Sequence, residues 1–355
     1  MLSINTQLNT APKAKPQDES KLGFGSIFTD HMFVCDYTEG KGWHDARIVP
    51  YGPFQLDPSS AVLHYSQTIF EGMKCYRRKD GELQLFRPKD NFARMNRSAQ
   101  RMGMPQLDTE TFLEGLLRLL RLEKDWVPHT PGTSLYIRPT LIATDAKLGV
   151  HASHKYLFYI ILSPVGAYYP GGLAPNDIYV EDEYVRAVRG GIGETKAGAN
   201  YAASLLAGMH AEKKGFVQVL WLDGVEQRYI EEVGSMNILF VYGNKVVTPK
   251  LSGSILPGIT RDSVLKLAKH LGYEVAEERM DIHEVLEDIQ SGKLTESFGS
   301  GTAAVISPVK TFSYKDKVYQ VGNGGIGPVA QQLYDTLTGI QYGTVEDTLG
   351  WITSV

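Results

Sequence analysis

One lysine of this chain lies among small residues, in a pattern that suits an amine nucleophile. Lys196 belongs to the segment GETKAGANYAAS, residues 193–204, and the first bulky side chain after it is that of Tyr201. A lysine amine can form a Schiff base with a carbonyl group when its charge is suppressed and the carbonyl lies within reach. The small neighbours suit either an exposed loop or a backbone against which a large planar group lies.

A second pattern places an acidic pair at the start of an apolar strand. Glu231 and Glu232 precede Val-Gly-Ser and the run MNILFV. A carboxylate in such a place is costly unless it meets a positive charge, and a protonated pyridine nitrogen is one such charge. The alternative interpretation is a surface glutamate at a strand end.

Two segments offer backbone amides that could bind a phosphate. Gly258, Ile259 and Thr260 lead into a predicted helix, whose first N–H groups suit an anion, although an isolated signal of this kind could be only an N-cap. The small-residue loop GSGTA, residues 299–303, is the second segment. The segment GNGGIG, residues 322–327, matches GxGxxG, but too little chain follows it to complete a nucleotide-binding half, and we predict a loop.

The sequence patterns around these motifs predict a mixture of helices and strands. Residues 108–127 predict a helix capped by Asp108 or Thr109, and a second helix runs from about residue 200 to Gly215. Residues 177–191 predict a pair of strands, and Gly243-Asn244 predicts a tight turn. The apolar run LFYIIL, residues 157–162, is far too short for a membrane helix and predicts a buried strand.

Composition narrows the class of protein. The chain has 355 residues, 43% of them hydrophobic and 21% charged, which is typical of a globular protein and long enough for two domains. A net charge of −4 argues against a nucleic-acid surface. Cys35 and Cys75 cannot build a disulfide framework or a cysteine zinc site, and the polar start has no secretory signal pattern, so we expect a cytoplasmic protein.

Taken together, the motifs closely resemble those of the branched-chain amino acid aminotransferases, which are pyridoxal-phosphate enzymes of fold type IV. The resemblance runs from about Phe24 to Tyr342. Its motifs are FGSIFTDHMF, LHYSQTIFEGMK, LFRPKDNFARMNRSAQRM, GTSLYIRP, PVGAYYPGG, KAGANY, EEVGSMN, LPGITR, SFGSGTA and IQYG. It implies a mixed α/β (α+β) two-domain fold type IV architecture. The expected parts are a flexible tail (1–23), a smaller N-terminal domain (24–168), a connector (169–178) and a larger C-terminal domain (179–355) carrying the lysine.

The resemblance also implies a reaction. The chain would use pyridoxal 5'-phosphate to transfer amino groups between leucine, isoleucine or valine and 2-oxoglutarate, giving branched-chain 2-oxo acids and L-glutamate. This reversible step would end branched-chain amino acid biosynthesis or begin degradation. We expect a homodimer with active sites at the subunit interface, no metal, no nucleic acid and no membrane. Alternatives are another fold type IV enzyme, such as a D-amino acid transaminase or aminodeoxychorismate lyase, or a non-catalytic nucleotide-binding protein.

Roles follow from the resemblance for individual residues. Lys196 would bind the cofactor covalently and move the proton, Glu232 would pair with the pyridine nitrogen, and Tyr201 would hydrogen-bond the phenolic oxygen. The phosphate side would comprise Arg94, the amides of Ile259 and Thr260, and Thr302. Ser235, in place of a usual threonine, would also belong to the cofactor site. The substrate side would comprise Phe24, Phe70, Tyr136, Arg138, Tyr168, Thr302 and Ala303, with Tyr65, Leu148 and Val150 from the partner subunit. Arg138 would accept the side-chain carboxylate of glutamate.

Overall fold

The computed structural model describes residues 2–168 and 173–355. In chain order the strands are β1 (Asn5–Thr6), β2 (His31–Thr38), β3 (Gly42–Pro50), β4 (Thr68–Phe70), β5 (Met73–Arg77), β6 (Leu83–Phe86), β7 (Ser134–Ala143), β8 (Lys155–Val165), β9 (Asn176–Glu181), β10 (Gln218–Leu222), β11 (Ile230–Val233), β12 (Met236–Tyr242), β13 (Lys245–Pro249), β14 (Glu274–Glu278), β15 (Glu296–Gly301), β16 (Val305–Tyr314), β17 (Lys317–Gln320) and β18 (Ile352–Ser354). The α-helices are α1 (Ala61–Tyr65), α2 (Pro88–Arg101), α3 (Thr109–Leu122), α4 (Gly198–Lys213), α5 (Ile259–His270), α6 (Ile282–Gln290) and α7 (Pro328–Gln341). This mixture confirms the predicted class.

Local signals account for the ends of two predicted helices. The carboxylate of Asp108 accepts a hydrogen bond from the N–H of Thr111 and caps α3, as the sequence predicts. Helix α4 ends at Lys213, and Gly215 follows with a φ of 87°, a left-handed conformation that favours glycine. Within residues 2–168 and 173–355, no helix combines the length and apolar character that crossing a membrane requires.

The first compact unit comprises Met1–Pro170, Thr195–Ala199 and Ile340–Val355. Its sheet has the order β1-β3-β2-β8-β7-β5-β6-β18, and β4 pairs with β7. The segments Thr195–Ala199 and Ile340–Val355, which were expected in the C-terminal domain, group with the first unit. The reason is strand pairing, because Ala197 forms a bridge with Ile69 and β18 pairs with β6.

Residues 2–23, predicted as a flexible tail, make specific contacts with the rest of the first unit. Strand β1 pairs in parallel with β3, and the N–H of Asn9 donates to Nε2 of His31 at 2.8 Å. The N–H of Lys13 donates to Asp30 at 2.7 Å, and Leu22 is buried. Polar composition misled the prediction, because this segment is held by hydrogen bonds rather than by an apolar stripe.

The second compact unit comprises Gly171–Glu194 and Asn200–Gly339. Its sheet has the order β11-β10-β9-β16-β15-β12-β13-β14, and β17 pairs with β16. The tight turn at Gly243-Asn244 is confirmed, because Tyr242 pairs with Lys245 across it.

Two expectations near the start of the second unit need correction. Of the connector at 169–178, residues 169–172 lie outside the described residues, and Asn176 already begins β9. The strand pair expected over 177–191 is wrong, because β9 ends at Glu181. The carboxylate of Glu181 accepts the N–H groups of Glu183 and Tyr184, which turns the chain.

Candidate active site

Lys196 lies in the first unit on a segment that hydrogen bonds hold against β4. Its carbonyl accepts the N–H of Phe70 at 3.0 Å, and its own N–H donates to the Ser98 hydroxyl at 3.0 Å. The Nζ atom lies 4.9 Å from the centroid of the Phe70 ring, within the range of a cation–π contact. Backbone and amine are therefore both positioned beside β4.

The glycines around Lys196 have a packing role in the protein itself. A Cβ atom on Gly198 would lie 2.9 Å from Cγ2 of Thr68, and one on Gly193 would overlap the carbonyl oxygen of Ser254. Real Cβ atoms do not approach other atoms so closely. At these two positions the absence of a side chain lets neighbouring protein segments meet, so a cofactor is not needed to explain it.

A buried ion pair joins Glu71, the residue that follows β4, to Arg94 on α2. Arg94 donates through Nε and Nη2 to the two carboxylate oxygens of Glu71 at 2.8 Å each, and Asn91 donates to the same carboxylate at 2.8 Å. Burial raises the pKa of Glu71, but the charge and hydrogen bonds of Arg94, the charge of Lys196 and the Asn91 hydrogen bond together outweigh it, and the pKa lies below its ordinary value. The sequence prediction missed Glu71, because an acid between phenylalanine and glycine has no local signal; Arg94 was expected to face a phosphate.

Four residues predicted for the substrate meet at β7. Nη2 of Arg138 donates to the Tyr136 hydroxyl at 2.9 Å, and its guanidinium carbon lies 4.5 Å from the Phe70 ring centroid. The Phe24 ring packs edge-on against Tyr136 with 4.9 Å between centroids. Among the described residues, the buried Nε of Arg138 has no hydrogen-bond partner. A charged donor is thus held among aromatic rings.

The other predicted substrate residues of this unit lie on exposed surface. The Tyr65 hydroxyl accepts the N–H of Gly149 at 2.7 Å, so Tyr65 adjoins the loop that carries Leu148 and Val150. The side chains of Leu148 and Val150 are 60% and 88% exposed. Tyr168 is also exposed.

Glu232 lies on β11 in the second unit and is buried. Its Oε1 accepts hydrogen bonds from Nδ2 of Asn237 and from the N–H of Leu256, at 3.1 Å each. Its Oε2 lies 2.6 Å from Nε of Arg186, an ion pair without hydrogen-bond alignment. Two hydrogen-bond donors and the Arg186 guanidinium thus stabilise the carboxylate charge. The sequence prediction missed Arg186, because it expected a strand there.

Glu231, the neighbour of Glu232, has different surroundings. The Ser254 hydroxyl donates to its Oε1, and burial nevertheless raises the pKa of Glu231. Glu231 lines a cavity of about 610 Å³ together with Tyr229 and Arg279. Because successive side chains on a strand point to opposite faces, the two carboxylates have separate partners.

Asn237 joins Glu232 to the start of α5. It pairs with Glu232 across the β11–β12 hairpin, and its Nδ2 also donates to the Leu256 carbonyl at 2.9 Å. A Cβ atom on Gly258 would overlap the Oδ1 atom of Asn237. Gly258 is the N-cap residue of α5, so close approach of Asn237 requires a cap without a side chain.

The other residues predicted for the cofactor and the substrate lie in turns and on helices α4 and α5. Ile259 and Thr260 are the first residues of α5, whose N-cap glycine offers no side-chain oxygen to their amides. Thr302 and Ala303 lie half-buried in the turn between β15 and β16. Ser235 lies exposed in the turn between β11 and β12, and Tyr201 lies half-buried on α4.

The GxGxxG match at residues 322–327 is a loop, as predicted, and its helix start holds an internal anion. The Glu296 carboxylate accepts the N–H groups of Val329 at 3.0 Å and Ala330 at 2.8 Å, at the start of α7. A Cβ atom on Gly327 would overlap the Glu296 carboxyl carbon. The helix terminus that a nucleotide phosphate would need is therefore occupied by a buried side chain.

Comparison with known proteins extends these observations to the whole chain. Residues 68–312 match the family described as amino-transferase class IV. The chain is 59% identical over 350 residues to a "Probable branched-chain-amino-acid aminotransferase" of Staphylococcus aureus (strain N315), covering 98% of this chain and 97% of that one. It is 54% identical over 353 residues to "Branched-chain-amino-acid aminotransferase 2" of Bacillus subtilis (strain 168), covering 99% and 97%.

A solved structure has the same fold. The branched-chain amino acid aminotransferase from Escherichia coli superposes with a TM-score of 0.73 at 29% identity, covering 91% of this chain and 98% of that one. Similarity of this extent confirms both the predicted architecture and the predicted relationship. The chain belongs to the amino-transferase class IV family, among its branched-chain-amino-acid aminotransferases.

Proposed function

We propose that this chain transfers amino groups between leucine, isoleucine or valine and 2-oxoglutarate, with pyridoxal 5'-phosphate as cofactor. The observation that carries the proposal is the setting of Arg138. Its guanidinium packs against the Phe70 and Tyr136 rings, and its buried Nε has no hydrogen-bond partner among the described residues. Aromatic walls suit an aliphatic side chain, and the unsatisfied donor suits the second carboxylate of glutamate.

Each unit, taken by itself, carries groups of the kind that the cofactor requires. In the second unit, Glu232 is a buried carboxylate that accepts two hydrogen bonds and pairs with Arg186, as a partner for a protonated pyridine nitrogen should be. The start of α5 has no side-chain cap and supplies amides for a phosphate. In the first unit, Lys196 is fixed through its backbone. Tyr201, Arg94, Ser235, Thr302 and Ala303 keep the roles that the resemblance implies.

When bound, pyridoxal phosphate would withdraw electrons from the α-carbon of the amino acid. The chain itself would bind, orient and move protons. The Lys196 amine would bind the cofactor and then remove the proton at that α-carbon, delivering it to the cofactor rather than back to the substrate. Glu232 would hold the ring in its protonated, electron-withdrawing form. The Arg138 guanidinium would orient the side-chain carboxylate of glutamate, whereas the leucine side chain would make no polar contact with it.

The proposal includes a dimer and a compartment. Leu148 and Val150 are exposed apolar side chains on one loop, and burying them against a second copy is favourable. We propose that this loop and Tyr65 complete the pocket of the partner subunit. Cys35 and Cys75 are both free and buried, in keeping with a reducing, cytoplasmic location.

The competing functions are less well supported. A nucleotide-binding protein would need the α7 terminus that Glu296 occupies. A D-amino acid transaminase or aminodeoxychorismate lyase would share the cofactor residues. The relatives that align with this chain over nearly their full length, however, are named for branched-chain substrates.

A substrate panel tests the proposal. The purified chain should show the yellow colour of its cofactor and convert L-leucine, L-isoleucine and L-valine with 2-oxoglutarate. D-alanine and 4-amino-4-deoxychorismate serve as controls for the alternatives. Faster turnover of either control than of the three branched L-amino acids would show that the substrate class is wrong.

A further inference from the structure

A cluster of metal-binding side chains lies in the first unit, outside the residues assigned above. Asp145, His151 and His154 lie between β7 and β8, with the spacing Asp-x₅-His-x₂-His. One ligand atom from each residue lies within 4.8 Å of the other two. We call these three residues the Asp145 cluster.

The distances within the Asp145 cluster fit a tetrahedral ion. Oδ2 of Asp145 lies 3.5 Å from Nε2 of His151 and 3.1 Å from Nδ1 of His154. Zinc–ligand bonds of about 2.0–2.1 Å place neighbouring ligand atoms about 3.3 Å apart. The third separation, between the ring nitrogens of His151 and His154, is within 4.8 Å. A small rotation of the His154 side chain, which is 60% exposed, would bring it to the same value.

The outer nitrogens of both imidazoles lie beside acceptors. Nδ1 of His151 lies 2.7 Å from the Gly149 carbonyl and donates to it, which leaves a lone pair on Nε2. Nε2 of His154 lies 3.4 Å from a Glu39 carboxylate oxygen and can carry the proton there, in which case Nδ1, 3.1 Å from Oδ2 of Asp145, offers its lone pair to a metal ion. Metal-binding histidines in proteins are oriented by such second contacts.

The inner atoms need a positive charge between them. Nε2 of His151 is buried and has no hydrogen-bond partner among the described residues, although a carboxylate oxygen lies 3.5 Å away. A lone pair facing a carboxylate is repulsive, and an unsatisfied buried acceptor is costly. A proton on Nε2 would satisfy only His151 and Asp145, whereas a metal ion would also use Nδ1 of His154.

We propose that the Asp145 cluster binds one divalent transition-metal ion, for which Zn²⁺ is the best match. Two imidazoles and one carboxylate form a ligand set that zinc commonly takes, with water as the fourth ligand. The ion would join Asp145 to the two histidines that follow Leu148 and Val150. It would thereby fix the base of the exposed loop that carries those two side chains.

Metal binding to the cofactor-loaded protein tests the proposal. After dialysis against chelator, calorimetric titration with Zn²⁺ should give one ion per chain. His151→Asn and His154→Asn should each weaken binding by at least tenfold, and Glu39→Gln by roughly tenfold, because loss of an orienting partner costs about 10–100-fold. His270→Asn, at the exposed end of α5, removes a surface histidine away from the cluster and should change nothing.

Two further measurements keep the result clear if a variant folds poorly. Co²⁺ should give tetrahedral visible bands in the native protein that His270→Asn retains and His154→Asn loses. Hydrogen exchange of residues 146–150 should slow when Zn²⁺ is added. Absence of Zn²⁺ binding to the native chain, or binding that is equal in all variants, would overturn the proposal and leave the cluster as a protonated histidine pair.

Discussion

Glu71 accepts both hydrogen bonds that Arg94 offers through Nε and Nη2, and both residues are buried. Removing one member of such a pair leaves an uncompensated charge. We predict that Glu71→Gln lowers the free energy of unfolding by on the order of 3 kcal/mol, measured by urea denaturation at pH 7. The exposed pair Lys89–Glu110 provides the control, since Glu110→Gln should cost less than about 1 kcal/mol.

The same pair predicts a dependence on pH. The pKa of Glu71 is lowered from 4.5 in the folded chain, so its charge stabilises the fold above pH 4.5. That stability is lost as the pH falls through the folded-state value. The difference in unfolding free energy between the native chain and Glu71→Gln should therefore shrink below pH 4.5. A difference that grows in acid would contradict the assignment.

Lys196→Ala should abolish transamination and leave the fold intact. A positioned base contributes about 10²–10⁴-fold, and loss of the covalent link adds to that. Steady-state turnover is the measurement, with Lys213→Ala, at the exposed end of α4, as a control that retains activity. Borohydride reduction followed by mass spectrometry should place the cofactor on the peptide with Lys196. Near-normal turnover of Lys196→Ala would show that another amine does the chemistry.

Glu232→Gln should lower turnover strongly, and Glu231→Gln should have a mild effect. Only Glu232 combines an Arg186 ion pair with an Asn237 hydrogen bond, whereas Glu231 binds the Ser254 hydroxyl. Loss of the carboxylate charge should also shift the absorption of the bound cofactor, which an effect on folding alone would not do. The reverse order of the two variants would mean that the functional face of β11 has been misassigned.

Arg138→Ala should slow reaction with glutamate far more than reaction with leucine. A charge-assisted pair contributes about 1.5–3 kcal/mol, on the order of tenfold or more in affinity. Single-turnover kinetics with each amino acid measure the two half-reactions separately. Tyr136→Phe removes the hydroxyl that accepts from Nη2 of Arg138 but keeps the charge of Arg138. It should therefore change the ratio of the glutamate rate to the leucine rate less than Arg138→Ala does. Equal slowing of both substrates by Arg138→Ala would make Arg138 a structural residue.

Lys74 on β5 should destabilise the fold at neutral pH. Burial lowers the pKa of its amine to about 8, against 10.5 when solvated. Below pH 8 both states carry the charge, and the folded chain bears the full burial cost of up to about 3 kcal/mol. Between pH 8 and 10.5 only the unfolded chain keeps the proton, so this cost is relieved as the pH rises.

We therefore expect Lys74→Met to be more stable than the native chain at pH 7, by about 1–3 kcal/mol. The advantage should vanish above pH 10.5. Urea unfolding at pH 7 and at the highest pH where the chain stays folded checks this. An advantage independent of pH would mean that packing, and not the buried charge, decides the effect.

The sequence predicted those features of the fold, such as helix ends, that depend on residues close together in the chain. The Asp108 cap, the apolar stripe of α3 and the glycine after α4 each lie within a few residues of the structure they specify. The expected strand pair failed because a side chain, Glu181, turned the backbone where propensity favoured extension. The prediction for the first 23 residues missed the contacts of β1, because its parallel pairing with β3 leaves no pattern in the sequence of this segment.

The candidate site shows the same division. Lys196 and Glu232 could be selected from motifs, because each lies in a short segment of unusual composition. Glu71 and Arg186 could not, since their roles come from partners that are distant in sequence. Arg186, for example, lies 46 residues from Glu232 and in a segment without regular structure. Pairing between charged groups at such distances is visible only in three dimensions.

The position of β18 at the edge of the first sheet has a consequence for protein synthesis. The ribosome makes β18 after every element of the second unit, yet β18 pairs with β6, which is made much earlier. While the chain grows, the open edge of β6 would present unpaired N–H and C=O groups, a template for wrong pairing. Completion of the first sheet must wait for translation of the second unit, so its nascent form is a natural substrate for chaperones.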